Sequence, residues 1–332
     1  MQTDWTDPRD MLLSELDLAL VHALQVDARA HWSQIAQVLD VDAATVSRRW
    51  SAISESGWAW FTVWPSPQHH SARSDAALVR VTGNPSESQV ASWCALPWVL
   101  TIERTSAGLC ALAVGRGGLE ALDRRIRSEF DVPGIDTVVE YAAEVWREDS
   151  TWRLRALSER QVARLGDRGT VSAPLRREPD EAIVAEVTAA LREDARMTWG
   201  ALGTRLGVSD ATARRTVERL VADGSVRVGC DVAMPAVGLG RGAVVRIGEW
   251  ASPEQAQRVV SHPAVHRIAC TLGPATATVS VRMTSLTELR DIERAWGSPP
   301  VIDRWTVIRA LKRNGHLLGE DGRSTGHVDV EW

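Results

Sequence analysis

Two short stretches combine small side chains with arginine at a spacing that suits hydrogen bonding to nucleic acid. The first holds Ala44, Thr45, Ser47, Arg48 and Arg49, and the second Ala211, Thr212, Arg214 and Arg215. On a helix, small residues in the first turn let the backbone approach base edges, while an arginine one turn later reaches guanine or a phosphate oxygen. The apolar positions decide which face that is. Val46, Trp50 and Ile53 in the first stretch, and Ala213, Val217 and Leu220 in the second, recur at helical spacing and turn the polar groups outward. Asp42 and Ser209 stand where a side-chain oxygen would cap each helix. The same arrangement also serves plain scaffold helices, so this pattern alone leaves both readings open.

Other reactive residue types fall into no recognisable constellation. Gly238 to Gly242, "GLGRG", precedes a strand instead of opening a helix, so it reads as a hinge and not as a phosphate loop. His262 and His266 are separated by Pro263 where no helix is expected, and His69 and His70 sit in a polar loop, so no metal site is expected. Cys94, Cys110, Cys230 and Cys270 are scattered without a Cys-x-x-Cys pair, which suits free thiols in a reducing compartment. No cofactor motif is present, so none is expected.

The elements that carry the two stretches are themselves duplicated. "DARAHW" from Asp27 to Trp32 returns as "DARMTW" from Asp194 to Trp199. Leu24, Asp27, Ala28, Arg29, Trp32, Val41, Ala44, Thr45, Arg48 and Gly57 all recur 167 residues later. A constant offset over so many positions indicates an internal duplication. Each copy predicts three short helices followed by a strand, "WAWFTVW" or "SVRVGCDV". After each triple comes a βαββαβ pattern, with Val79/Val245, Arg80/Arg246 and Pro97/Pro263 now 166 apart. The expected fold class is therefore α+β, with two winged helix-turn-helix domains (11–64 and 179–234) and two ferredoxin-like domains (73–145 and 240–312). An Arg-rich linker, 146–178, and a polar tail, 313–332, complete the chain. Arg153, Arg155, Arg160, Arg164, Arg168, Arg176 and Arg177 in that linker read as a solvated segment or as a phosphate-facing strip.

This order of elements resembles the Lrp/AsnC family of transcription regulators. "LSELDLALVHALQVDAR" follows that family's usual L-D-x-x-D-x-x-I-L-x-x-L-x-x-D-x-R phrase, and "LREDARMTWGALGTRLGVSDATARRTVERL" follows it again. Ordinary members are about half as long, so the chain looks like a tandem fusion of two. The resemblance implies effector domains of the RAM type that pair through their sheets, reading heads that bind double-stranded DNA as dimers, and assembly into homo-oligomers. It also implies a small effector, an amino acid or another metabolite, held between effector domains near the hairpin turns, where Thr105, Gly108, Thr271 and Gly273 are the candidate contacts. One chain would then be a pseudo-dimer whose effector domains set two heads roughly 34 Å apart, one DNA turn. The family's Gly-Asp-Tyr-Asp turn is replaced by Gly108-Leu109-Cys110-Ala111 and Gly273-Pro274-Ala275-Thr276, which offer no carboxylate to an amino-acid ammonium.

Siroheme decarboxylases resemble the same architecture and are the enzymatic alternative. They tend to carry His and Tyr around the hairpin, whereas "IERTSAGLCALAV" and "IACTLGPATATVSV" contain neither, so the chain is not expected to be an enzyme. A nucleoid-type protein that bends DNA with little sequence preference is the other alternative. The net charge of −5 argues mildly against nucleic acid, but bulk charge says little about one face. No apolar run reaches the roughly 18 residues a membrane span needs, and the start lacks a leader pattern, so a cytoplasmic location is expected.

Overall fold

Both three-helix heads form where the apolar periodicity places them. The computed structural model describes residues 13–65, 74–147, 151–166 and 180–331. In the first head, α1 (Glu15–Val26), α2 (Trp32–Leu39) and α3 (Ala43–Glu55) bury Leu20, Val21, Leu24, Ile35, Val46, Trp50 and Ile53. Ser14 and Asp17 cap α1 reciprocally, each side chain meeting the other's backbone N–H. The turn into α3 needs a left-handed residue. Asp40, with φ of 55°, supplies it, and Gly207, with φ of 65°, does so in the second head. A strand, β1 (Ala59–Pro65), follows α3.

Before the second head, residues 151–166 are structured and are no bare linker. Leu154 and Leu157 are buried, their N–H groups donating to Gln25 Oε1 (2.7 Å) and His22 Nδ1 (2.9 Å), and α6 (Glu159–Leu165) lies against α2 through Gln161 Nε2 to Val38 O at 3.1 Å. Arg164 donates to Gln37 O at 3.2 Å, while Arg155 and Arg160 are exposed. Arg168, Arg176 and Arg177 lie outside the described residues. The second head then repeats the first as α7 (Glu181–Glu193), α8 (Trp199–Leu206), α9 (Asp210–Ala222) and β6 (Val226–Val232).

The chain divides into two compact units, and the two heads together form one of them, from Leu13–Ala72 and Arg153–Val232. The other unit takes Arg73–Trp152 and Ala233–Trp332. Its first half is β2 (Ser74–Gly83), α4 (Glu87–Cys94), β3 (Val99–Thr105), β4 (Gly108–Arg116), α5 (Leu119–Phe130) and β5 (Ile135–Arg147). Its second half is β7 (Arg241–Ile247), α10 (Pro253–Ser261), β8 (Val265–Thr271), β9 (Ala277–Met283), α11 (Leu289–Ala295) and β10 (Val301–Arg313). Each half orders its strands as a ferredoxin-like sheet, β3-β4-β2-β5 and β8-β9-β7-β10. β5 also pairs with β8, and β10 with both β7 and β3, so these eight strands close on themselves and leave no open edge. The segment from 313, expected as a polar tail, instead adds β11 (His316–Leu318) and β12 (Ser324–His327) beside β10.

Strand alternation gives each half two faces. Outward, Val79, Val81, Trp93, Ile102, Ala111, Leu122 and Ile126 form one core, and Val245, Val259, Ile268, Val279, Val281 and Trp296 the other. Inward, the two halves differ. The first half contributes Leu78, Leu100, Leu112 and Val114 with the acids Glu103 and Glu140. Matched by register, the second half sets His266 where Leu100 stands, Ser280 for Leu112 and Arg282 for Val114.

Candidate nucleic-acid interface

The outward faces of α3 and α9 are built alike. Asp42 caps α3 by accepting Thr45 N–H at 2.7 Å and Thr45 Oγ1–H at 2.6 Å. These two hydrogen bonds hold the Asp42 carboxyl below the usual carboxylate range. Ser209 caps α9 by accepting Thr212 N–H at 3.3 Å. Arg48 is exposed and reaches Thr45 Oγ1 at 3.3 Å, and Arg215 is exposed and reaches Thr212 Oγ1 at 3.4 Å. Ala44 and Ala211 are exposed beside them, with Ser47 half-buried. Each head therefore presents a small first turn and a guanidinium steered by a threonine one turn back.

Two expected contacts are tied down on the protein itself. Arg49 forms an ion pair with Asp17 of α1 at 2.9 Å, and Arg214 one with Glu218 at 2.9 Å along its own helix. The Arg214–Glu218 pair is largely exposed and therefore weak, whereas Asp17 is mostly buried, so Arg49 is held more firmly than Arg214. They do make the heads unequal: the first offers Ser47 and Ser51 where the second offers Arg214 and Glu218.

The heads also grip each other. Arg29 donates to the carbonyls of Ala195 and Met197, the second at 2.7 Å, and Arg196 donates to those of Ala28 (2.6 Å) and Ala30 (2.7 Å). Arg29 also lies over the Trp199 ring at 4.1 Å, and Arg196 over Trp32 at 3.7 Å. Burial, with Arg29 nearby, brings the Arg196 guanidinium down to about 10. Gln25 Nε2 donates to Cys230 O (3.2 Å) and Arg192 Nε to Val63 O (3.0 Å). β1 pairs antiparallel with β6, Thr62 opposite Gly229. The repeated "DAR…W" phrase carries this clasp. That role escaped sequence reasoning because the signal was a repetition without a partner.

The hairpin residues proposed for a ligand hold their own turns. Thr105 is buried and donates to Gly108 O at 3.1 Å, and Thr271 is buried and donates to Ala275 O at 2.8 Å. Gly108 adopts φ of 127°, and a Cβ there would stand 2.0 Å from Val81 O, so backbone packing alone accounts for it. Gly273 faces open space.

Polar groups gather on the inner layer instead. Arg267 (3.2 Å) and Arg282 pair with Glu103, and Arg246 pairs with Glu140 and with Asp303 (2.9 Å). His266 is fully buried, and its ring stacks on Trp152 with centroids 4.2 Å apart. Both of its ring nitrogens lack a hydrogen-bond partner, as do the hydroxyls of Ser280, Thr278 and Thr101. Burial first, then Arg313, Arg282, Arg147 and Arg267, push its imidazole well below its ordinary value. His262 caps α10 and meets Trp296 edge-on, so the two histidines serve different surroundings. Sequence reasoning weighed His266 only as a partner of His262 and missed its inward position. Among the described residues, no group of three or more His, Cys, Asp or Glu is placed to hold a metal ion, and the four cysteines are free.

Duplicated helix-turn-helix heads and duplicated four-stranded α+β domains make up the chain, the arrangement expected of a tandem Lrp/AsnC-like protein. Residues 13–52 match the AsnC-type helix-turn-helix domain, and residues 189–227 match the winged helix-turn-helix DNA-binding domain. No curated protein sequence matches the chain. Among solved structures, siroheme decarboxylase NirDL is similar, with a TM-score of 0.52 and 13% identity over 93% of this chain and 96% of that one. Its complex with an iron-uroporphyrin III analogue gives 0.51 and 13%, over 90% and 93%. The leucine response regulatory protein LrpA of Mycobacterium tuberculosis is 22% identical with a TM-score of 0.33, and covers 40% of this chain and 93% of its own. The expectation that the chain is not an enzyme is corrected by the NirDL likeness, because the fold matched over nearly the whole length is one that an enzyme uses. No helix of the described residues is long and apolar enough to cross a membrane.

Proposed function

We propose that the chain is a sequence-specific, DNA-binding transcriptional regulator of the Lrp/AsnC type, acting as an internal pseudo-dimer and assembling into homo-oligomers. A small metabolite held by the effector domains would modulate it. The observation that carries this reading is the matched pair of outward faces, Thr45–Arg48 and Thr212–Arg215, each on a capped helix. Arg48 and Arg215 read or clamp the duplex, and Ser47 against Arg214 makes the two half-sites differ. Binding to DNA from the chain's own upstream region, against random DNA of equal length and across a salt series, tests it. The expected result is selective binding that Arg48→Ala with Arg215→Ala weakens by about 1–3 kcal/mol per lost contact. Equal affinity for both DNAs would favour a nucleoid-type architectural role, and no binding at any salt would end the regulator reading.

One observation favours a second reading, a siroheme-decarboxylase-like enzyme: buried His266 with both nitrogens unpartnered among arginines on the inner layer. Titration with siroheme, followed by visible absorption in the native protein and in His266→Ala, tests it. A spectral change lost in the variant supports the enzyme, and an unchanged spectrum removes it.

A further inference from the structure

The arginine, indole and strand contacts between the heads are reciprocal. Ala28 and Ala195, Arg29 and Arg196, Ala30 and Met197, and Trp32 and Trp199 are each 167 residues apart, and each arginine of the clasp grips the counterpart of what the other grips. Gln25 and Arg192 are also counterparts, and they reach counterpart carbonyls, Cys230 and Val63. The strand register is centred on Thr62 and Gly229, again 167 apart. These relations define a local twofold axis between the heads, made from the heads' own residues.

A two-stranded ribbon on its own is marginal and twists readily. It sets the register between the heads but holds their mutual angle poorly. The arginine clasp, formed at the turn between the first two helices of each head, adds a second attachment. A guanidinium fork on two carbonyls is directional, and stacking on indole fixes its plane. Small Ala28 and Ala195, both buried, let the carbonyls approach.

We propose that Arg29 and Arg196 are specificity-determining positioning residues that lock α3 and α9 into one separation and angle, so that the chain accepts inverted half-sites at a single spacing. This rests on the DNA-reading proposal above, and it assigns the spacing to the head unit itself instead of to the effector domains. Each added base pair turns one half-site about the duplex by roughly a tenth of a turn, so a locked pair discriminates spacing where a loose pair does not.

The test compares the full-length protein with Arg29→Gln/Arg196→Gln. Selected half-sites are placed at spacings varied one base pair at a time over a helical turn, beside a DNA carrying a single half-site. The native protein is expected to prefer one spacing by tenfold or more. The variant is expected to flatten that preference to about twofold while binding the single half-site as before. Lysine at both positions, which keeps the charge and loses the fork, should not restore the preference. An unchanged spacing profile, or an equal loss on the single half-site, overturns the proposal. A readout without DNA separates it from the regulator reading: spin labels at Ser51 and Glu218, with Cys270 replaced by serine, report the distance between α3 and α9. A narrow distribution that broadens in the variant supports the lock even if no DNA is bound, and equal widths overturn it.

Discussion

His266 shows how one side chain can set a pH limit. Its imidazole takes up a proton far less readily in the folded chain than in the unfolded one, where it behaves near its usual 6.5. Below that pH the unfolded state binds the extra proton, so stability falls as pH falls, by up to about 1.4 kcal/mol per pH unit. His266→Leu, which installs the residue found at the matched position 100, is expected to remove that component from denaturant midpoints measured between pH 7.5 and 5. Lys312, the chain's one lysine, works at the other end of the scale. Its Nζ donates to Leu96 O at 2.7 Å, and burial brings it down to about 8. Between about pH 8 and 10.5 the unfolded chain holds more protons, so this group makes stability rise with pH, and Lys312→Met should flatten that rise.

At the level of elements, the two heads solve the same packing problem with different residues. Ala36 in α2 corresponds to Gly203 in α8, and a Cβ at 203 would stand 2.8 Å from Val208 O. The second head therefore closes its helix-turn-helix more tightly. Gly203→Ala, although it copies the first head, is expected to cost about 1–3 kcal/mol by overpacking, read from a thermal melt. Ser209→Ala should cost about 1 kcal/mol by removing the cap of α9, and should weaken DNA binding through the second head alone.

Across the whole chain, the duplicated halves of the effector unit have become complementary. Glu103 and Glu140 come from the first half, and Arg246, Arg267 and Arg282 from the second. By register, Ala269 stands where Glu103 does and Val114 where Arg282 does, so a half paired with its own copy would bury acid or arginine without this partner. Glu103→Ala removes the carboxylate that Arg267 and Arg282 share in the buried layer and is expected to cost about 3–5 kcal/mol, measured by denaturant unfolding.

Local regularities carried most of the architecture. Helical spacing of Leu20, Leu24, Val46, Trp50 and Ile53 fixed the first head, alternation fixed strands such as β2 and β9, and Asp42 and Ser209 announced the caps of α3 and α9, because each of these is settled within a few residues. Thr45, Arg48, Thr212 and Arg215 were legible as an outward face for the same reason. The structured segment 151–166 and the strands β11 and β12 were not, since their order depends on what they pack against. The repeat announced two equivalent halves, and pairing decided what the equivalence is for. Arg29 meets carbonyls 166 and 168 residues away, and Glu103 meets arginines 164 and 179 residues away. Such partners share no local periodicity, so only the tertiary structure could bring them together and turn a repeated phrase into a clasp.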